Sequence, residues 1–407
     1  MEESTNKFKI SPKSIILATV FLDVLGIGLV VPILPFYVES FQVSDFVVTL
    51  LFAVFSLFAF FSAPILGMLS DRKGRRPVLL ISLASSALGW LIFAFSNSIW
   101  GLFLGRIIDG SAAGNISTAQ NYLIDMSKTP AERTKNLGLI GAIFGIGFII
   151  GPVVGGLLSG FNMRLPFVVV GILATVNTVL AYFFLPETHH QENRSTKKIS
   201  INPFAPIVKA FANKEVLPLY MAWLFFGIAI SLNQSIFALY INRMFAWGVI
   251  ASGLLMALMG VILALNQAVL IHKVWLKYFK ESFLLLWIFI PFALGYFAMA
   301  LPFKFAFMLG LIITAFGHST LRVVMSSQII GFSDKKEQGE MMGILTSFMS
   351  LSMILGPMIG GAVYVLNTSL PFTVAGIFCL VAFMFVYSTY KKIGPREHLE
   401  IPPVEAV

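Results

Sequence analysis

Apolar residues run through this chain in stretches of about 20 or more, and short clusters of charge, proline and glycine stand between them. Read as windows bounded by those clusters, the pattern predicts helices near 14–36, 46–69, 78–96, 99–124, 136–160, 165–185, 215–243, 247–272, 282–302, 304–330, 340–366 and 370–390. The fold class is all-α integral membrane, with twelve transmembrane helices. The first thirteen residues are polar. The apolar run behind them exceeds the roughly 7–15 residues of a signal-peptide core, so it reads as a retained first span.

Composition narrows the function classes. Of 407 residues, 57% are hydrophobic and 12% charged, the latter about half the roughly 25% of soluble domains. A soluble enzyme is excluded, and little chain is left for a separate water-soluble domain. The single cysteine, Cys379, lies inside an apolar window; it forms no intramolecular disulfide and belongs to no cysteine-rich metal site.

A net charge of +9 raises the question of a nucleic-acid partner, and its placement gives another answer. Alternate connections hold Lys7, Lys9 and Lys13; Arg72, Lys73, Arg75 and Arg76; Lys128, Arg133 and Lys135; Arg194, Lys197, Lys198, Lys209 and Lys214. The series continues with Lys273, Lys277 and Lys280; Lys335 and Lys336; Lys391, Lys392 and Arg396. The opposite connections hold only Arg164, Arg243 and Lys304, while Arg106 and Arg322 fall inside spans. By the positive-inside rule both termini are cytoplasmic. The basic charge is a topology signal, the partner it implies is the lipid bilayer, and no nucleic-acid partner is predicted.

The chain also resembles itself. A shift of 205 residues places LPFVVVGI at 165–172 on LPFTVAGI at 370–377 and Gly151-Pro152-x-x-Gly155-Gly156 on Gly356-Pro357-x-x-Gly360-Gly361. Gly138, Glu132 and Asn162 fall on Gly343, Glu337 and Asn367 by the same shift. Two pseudo-symmetric six-helix halves follow, 1–185 and 215–390, with a cytoplasmic linker at 186–214 and a cytoplasmic tail at 391–407. Parallel repeats of this kind predict a transporter with a site at the midplane and alternating access. His189 and His190, in the linker, read as a solvated loop pair.

Two motifs stand out. Between the second and third spans runs Gly67-Met68-Leu69-Ser70-Asp71-Arg72-Lys73-Gly74-Arg75-Arg76-Pro77. Asp71 and Arg75 are spaced for a local ion pair if the turn is helical, and Gly74 opens backbone conformations closed to other residues. In the second half Leu276 and Phe279 replace Asp71 and Gly74, so any conformational latch here is one-sided. The fifth span carries Gly141, Gly145, Gly147, Gly151, Pro152, Gly155 and Gly156, a small-residue ladder that lets two helices approach closely.

These motifs, with Asp23-Val24-Leu25-Gly26-Ile27-Gly28, Pro32 and Pro35 in the first span and Arg106 to Gly110 in the fourth, resemble the major facilitator superfamily. More narrowly, the chain is similar to the superfamily's twelve-helix drug/proton antiporters, the tetracycline-efflux-like branch, most closely over 14–190. The resemblance implies an inner-membrane monomer that uses the proton gradient and no cofactor. It also implies a latch in which Asp71 caps a neighbouring helix end and Arg72 reaches Asp125, and it associates the fifth-span ladder with export by antiport. The acidic residues that tetracycline exporters carry in their third and ninth helices fall here on Gly89 and Phe292, which argues against tetracycline itself.

Ionisable groups inside a bilayer cost at least about 2.5–3.5 kcal/mol at its centre, which makes the few present functional candidates. Asp23, Asp109 and His318 can change charge and are the proton-coupling candidates. On a continuous helix Asp109, Ser117 and Gln120 share one stripe with Arg106, whereas Asn115 points about 180° away and reads as a packing residue. In the tenth span Thr314, His318, Arg322 and Ser326 are four apart and share a face; Asn233 and Gln234 are the contribution of the seventh, and Asn266 and Gln267 a weaker one from the eighth. The expected cavity is thus Asp23, Arg106, Asp109, Ser117, Gln120, Asn233, Gln234, His318 and Arg322. A structural reading pairs Arg106 with Asp109, or Arg322 with Asp23, only to neutralise charge.

The leading functional reading is export of a small amphipathic compound in exchange for protons. The alternative is uptake or facilitated passage of an anionic metabolite or siderophore-like ligand, motivated by Arg106, His318 and Arg322. A receptor or enzyme on a transporter scaffold is the third, and the sequence offers it no nucleophile–base pair and no metal motif.

Overall fold

The computed structural model describes residues 11–189, 202–332 and 338–393. Lys7, Lys9, His190, Arg194, Lys197, Lys198, Lys335, Lys336, Glu337 and Arg396 lie outside the described residues, as do 190–201 of the linker and 394–407 of the tail. The helices are α1 (Pro12–Glu39), α2 (Asp45–Lys73), α3 (Arg75–Phe95), α4 (Ile99–Ser111), α5 (Asn115–Met126), α6 (Pro130–Phe161), α7 (Leu165–Phe184) and α8 (Ala205–Ala212). There follow α9 (Leu217–Phe245), α10 (Val249–Leu265), a π-helix (Asn266–Trp275), α11 (Leu276–Tyr278), α12 (Glu281–Trp287), α13 (Phe289–Met299), α14 (Lys304–Gly331), α15 (Gln338–Leu366) and α16 (Leu370–Ile393). Among the described residues, eleven helices are long and apolar enough to cross a bilayer.

The predicted span at 99–124 is missing from those eleven because it is two helices. α4 ends at Ser111, Gly114 N–H turns back onto Ala112 O at 2.7 Å, and α5 starts at Asn115. A break inside a membrane must have its freed carbonyls satisfied by protein. Ser85 Oγ donates to Ile108 O at 2.6 Å, and Ser62 Oγ to Gly110 O at 2.7 Å. The predicted 247–272 helix is likewise irregular, since α10 runs into the π-helix.

Two compact units emerge. The first comprises Met1–Val30 and Phe61–Ile201; the second comprises Val31–Phe60 and Asn202–Val407. α1 and α2 are therefore each divided near their middles. In the first unit α3 packs on α4 and α7, with Phe167 stacked against Trp90 and touching Phe93. In the second, α9 packs on α15 and α16, and α13 on α14 and α16. Large apolar side chains such as Trp100, Phe161, Phe183 and Phe305 are exposed, as suits helices whose outer surface meets lipid.

Part of the glycine ladder of α6 is a close contact with α1. A Cβ on Gly147 would lie 2.7 Å from Val24 Cγ1, and one on Gly151 3.0 Å from Leu25 O, while Gly28 of α1 faces Gly147 and Pro152 in return. A Cβ on Gly141 would meet nothing within 4 Å, so that end of the ladder does not serve this contact. Gly356 and Gly360 of α15, counterparts of Gly151 and Gly155 under the 205 shift, approach Ser231 and Leu232 of α9. Gly151→Val is expected to destabilise by about 1–3 kcal/mol through overpacking, whereas Gly141→Ala is neutral or slightly stabilising through helix propensity. Thermal unfolding midpoints of the two variants in detergent check this.

Candidate functional site

In the first unit, α1, α3, α4 and α5 bring together five polar side chains. Asn115, the first residue of α5, donates from Nδ2 to Asp23 Oδ1 of α1 at 3.0 Å and to Ser86 Oγ of α3 at 3.2 Å. Ser86 Oγ in turn donates to Asp109 Oδ1 of α4 at 2.8 Å. The other oxygen of Asp109 lies 3.9 Å from Arg106 Nη1, with both side chains buried. The Arg106 guanidinium sits 4.6 Å from the centroid of Trp90 and 4.7 Å from that of Phe93, a setting that stabilises a cation among apolar groups. Two carboxylates are thus linked by an amide and a hydroxyl, and one of them is faced by one arginine.

Sequence reasoning placed Asn115 on the wrong side. A continuous helix would turn Asn115 about 180° from Arg106, but the break at 112–114 resets the phase and turns it inward. Ser117 is exposed and donates to Gly114 O at 3.2 Å, and Gln120 is half-buried; neither joins the cluster. Ser86 was also missed. Gly89, one turn further along α3, touches α4 so closely that a Cβ there would lie 2.9 Å from Asp109 Cβ. A side chain at 89 would therefore contend with Asp109 for the same space.

In the second unit the remaining candidates are scattered along α9 and α14. Asn233 is buried with no hydrogen-bond partner for Oδ1, and Gln234 is half-buried. His318 is half-buried, with its ring edge-on to Phe226 at 5.9 Å. The hydroxyls of Thr314 and Ser326 bond to carbonyls of their own helix, and Arg322 is exposed. Asn266 is committed elsewhere, donating to Thr320 Oγ1 at 2.8 Å and accepting from Trp275 Nε1 at 2.8 Å, while Gln267 is exposed.

The turn between α2 and α3 is held by Arg75, and this corrects the latch expected from the resemblance. Gly74 adopts φ 109°, in the region that favours glycine, and so redirects the chain between the two helices. Arg75, buried, donates from Nε to Asp125 Oδ2 at 3.0 Å and from Nη1 to Ser70 Oγ at 3.2 Å, and its Nη1 pairs with Asp71. Arg72 is exposed, and Asp71 binds Arg75 instead of a helix end. The positive φ at Gly74 is what brings Arg75 around to the position expected for Arg72. Gly67 has open space around its Cα.

The N-terminus of α3 is capped from a distance. Glu187 accepts from Arg75 N at 2.9 Å and from Arg76 N at 3.2 Å, placing a carboxylate where helix N–H groups lack partners. His189 Nδ1 lies 3.7 Å from Asp125 Oδ2 in a half-buried setting, so the solvated-loop reading fails for this histidine. Glu187 was missed, although a carboxylate immediately after the sixth predicted span, 165–185, is a legible signal. Arg75→Gln is expected to lower turnover about tenfold, the equivalent of roughly 1.4 kcal/mol, with little change in KM. Arg72→Gln should stay near wild type in the same transport assay.

Comparison with known proteins places this arrangement. The Major Facilitator Superfamily model matches residues 16–300 and 268–406. The class C tetracycline resistance protein of Escherichia coli is 32% identical over 362 residues, covering 87% of this chain and 90% of that one. Multidrug resistance protein 2 of Bacillus subtilis is 25% identical over 375 residues, covering 90% and 92%. Among solved structures, the nucleoside transporter NupG superposes with a TM-score of 0.76 at 15% identity, covering 95% of this chain and all of that one; at that identity the likeness speaks for the fold. The chain belongs to the major facilitator superfamily.

Proposed function

We propose that this protein exports a small amphipathic compound across the bacterial inner membrane by alternating access, in exchange for protons and without a cofactor. The observation that carries the reading is the Asp23–Asn115–Ser86–Asp109–Arg106 cluster, built into the spans of a chain whose relatives are tetracycline and multidrug resistance proteins. Membrane-embedded carboxylates are costly and mark ion pathways.

The cluster suggests how coupling works. With both aspartates ionised and Arg106 charged, it carries one net negative charge, and one proton makes it neutral. Asp23 is less buried than Asp109 and is the entry point. Protonating Asp23 removes a like charge from the neighbourhood of Asp109, to which the Asn115 and Ser86 hydrogen bonds tie it, since two interacting carboxylates titrate as a pair. Asp109 is then left ionised with Arg106 as its one charged partner, and this change in the balance of charge between them biases the conformational equilibrium. In this reading the two six-helix halves of the duplication are the moving bodies, 1–185 and 215–390, with both termini cytoplasmic, the turn held by Arg75 as the latch, and the monomer as the working unit.

Cells stripped of their own drug pumps and loaded with fluorescent lipophilic compounds test the proposal. Expression of the chain should speed release of at least one compound, and a protonophore should abolish the gain. Release that is unaffected by the protonophore would argue for facilitated passage.

A further inference from the structure

The reading above leaves one charged group unused. Arg322 sits in α14, about nine residues from its end at Gly331, which at roughly 1.5 Å per residue is some 13–14 Å into the span. Its side chain is exposed, and among the described residues no carboxylate pairs with it and nothing donates to or accepts from it. α14 itself contains no Asp or Glu. This contrasts with Arg106, which has Asp109 and two aromatic rings, and with Arg75, which has two carboxylates.

An arginine facing lipid costs at least about 2.5–3.5 kcal/mol at the bilayer centre, which makes one within a span a functional candidate. The direction of the helix agrees. The exposed apolar residues Phe305, Leu309 and Ile312 of α14 lie roughly 80–140° around the helix from Arg322, at about 100° per residue. Thr314, His318 and Ser326 lie within about 80° of Arg322 on its own side. Arg322 thus shares the stripe of Thr314, His318 and Ser326, about 80° from Ile312, the nearest of the exposed apolar residues, and arginines within spans almost always face a bundle interior or a water-filled cavity. His318, one turn before it, is braced by Phe226, a fully buried ring of α9, which steadies this stretch of α14. What remains is a permanent cation with a free planar fork of donors, the geometry that recognises carboxylates.

We propose that Arg322 is the anchor for an anionic group of the transported compound, and that the substrate class is aromatic or lipophilic carboxylates, zwitterions included. The inference rests on the export reading for direction only; binding is independent of it.

The test uses the purified full-length protein and a series of arylacetic acids with their primary amides, from naphthyl to larger fused rings, measured by competition against a bound fluorescent amphipath. Wild type should prefer at least one acid over its amide by about tenfold, the scale of a charge-assisted hydrogen bond. Arg322→Gln should remove that preference while leaving amide binding unchanged, and Arg322→Lys should restore part of it. If no acid in the series outcompetes its amide, or if Arg322→Gln weakens acids and amides equally, the proposal is overturned. Arg322-dependent acid binding without compound-driven proton movement in proteoliposomes would instead overturn the export reading and leave this one standing. Proton movement driven by amides and cations but by no acid would do the reverse.

Discussion

Replacing Asp23 by asparagine should abolish proton-coupled transport, with a loss of at least about a hundredfold in compound-driven proton flux, while folded protein still reaches the membrane. The geometry explains both halves of the expectation. Asparagine keeps an oxygen where Asp23 Oδ1 accepts from Asn115, at 3.0 Å in the wild type, so the bridge to Ser86 and Asp109 survives. What disappears is the group that takes up the proton. The cluster then has Asp109 and Arg106 balancing each other, and nothing in its charge responds to the gradient in the same way. Energy-independent exchange of compound across the membrane should persist, because the substitution removes the group that takes up the proton and leaves Arg322, the proposed anchor for the compound, in place. Flux and exchange measured side by side on the same vesicles check the prediction; full proton flux in the variant would remove Asp23 from the mechanism.

The second large effect is on stability. Arg106→Gln takes the counter-charge from a buried carboxylate and leaves two aspartates joined by a hydrogen-bonded bridge with no cation in reach of Asp109. Breaking one side of a buried ion pair costs about 3 kcal/mol or more, because the surviving charge keeps its desolvation penalty. The variant should show a clearly lowered unfolding midpoint in detergent. Asp109→Asn added to it should recover much of that loss, since the asparagine can still accept from Ser86 while the orphaned charge is gone. The pairing distance of 3.9 Å is long for a hydrogen bond, so the coupling measured by this double-mutant cycle is mainly electrostatic. If the double variant is as unstable as the sum of the two singles, Arg106 acts through its stacking on Trp90 and Phe93 and not through Asp109.

These expectations also show what one-dimensional pattern conveys in a membrane protein. Spans were legible because bilayer thickness imposes a length and lipid imposes apolarity, and the membrane class and superfamily followed from those and from motifs. The cluster was half legible. Asp23, Arg106 and Asp109 stand out because charge in a span is rare, but Asn115 and Ser86 look like ordinary small polar residues until the break after Ser111 is known. No periodic argument finds that break, since Ala112 and Ala113 are good helix formers and only Gly114 hints at it. The same limit applies to the turn after α2: Arg72, Arg75 and Arg76 are equivalent cations in the sequence, and the φ of Gly74 decides which of them turns inward. Glu187 and His189 needed the third dimension, because the contacts that define them span more than sixty residues.

The most direct test of the central claim, that the linked aspartates couple compound export to proton uptake, is proton release from proteoliposomes with an acidic interior. In vesicles in which the protein's cytoplasmic face is outward, addition of a transported compound should draw protons out of the lumen as the compound enters. The release should saturate with compound and vanish in Asp23→Asn, with close to one proton leaving per compound taken up. Uptake of compound at the wild-type rate with no movement of protons, or proton release that is unchanged in Asp23→Asn, would contradict the account.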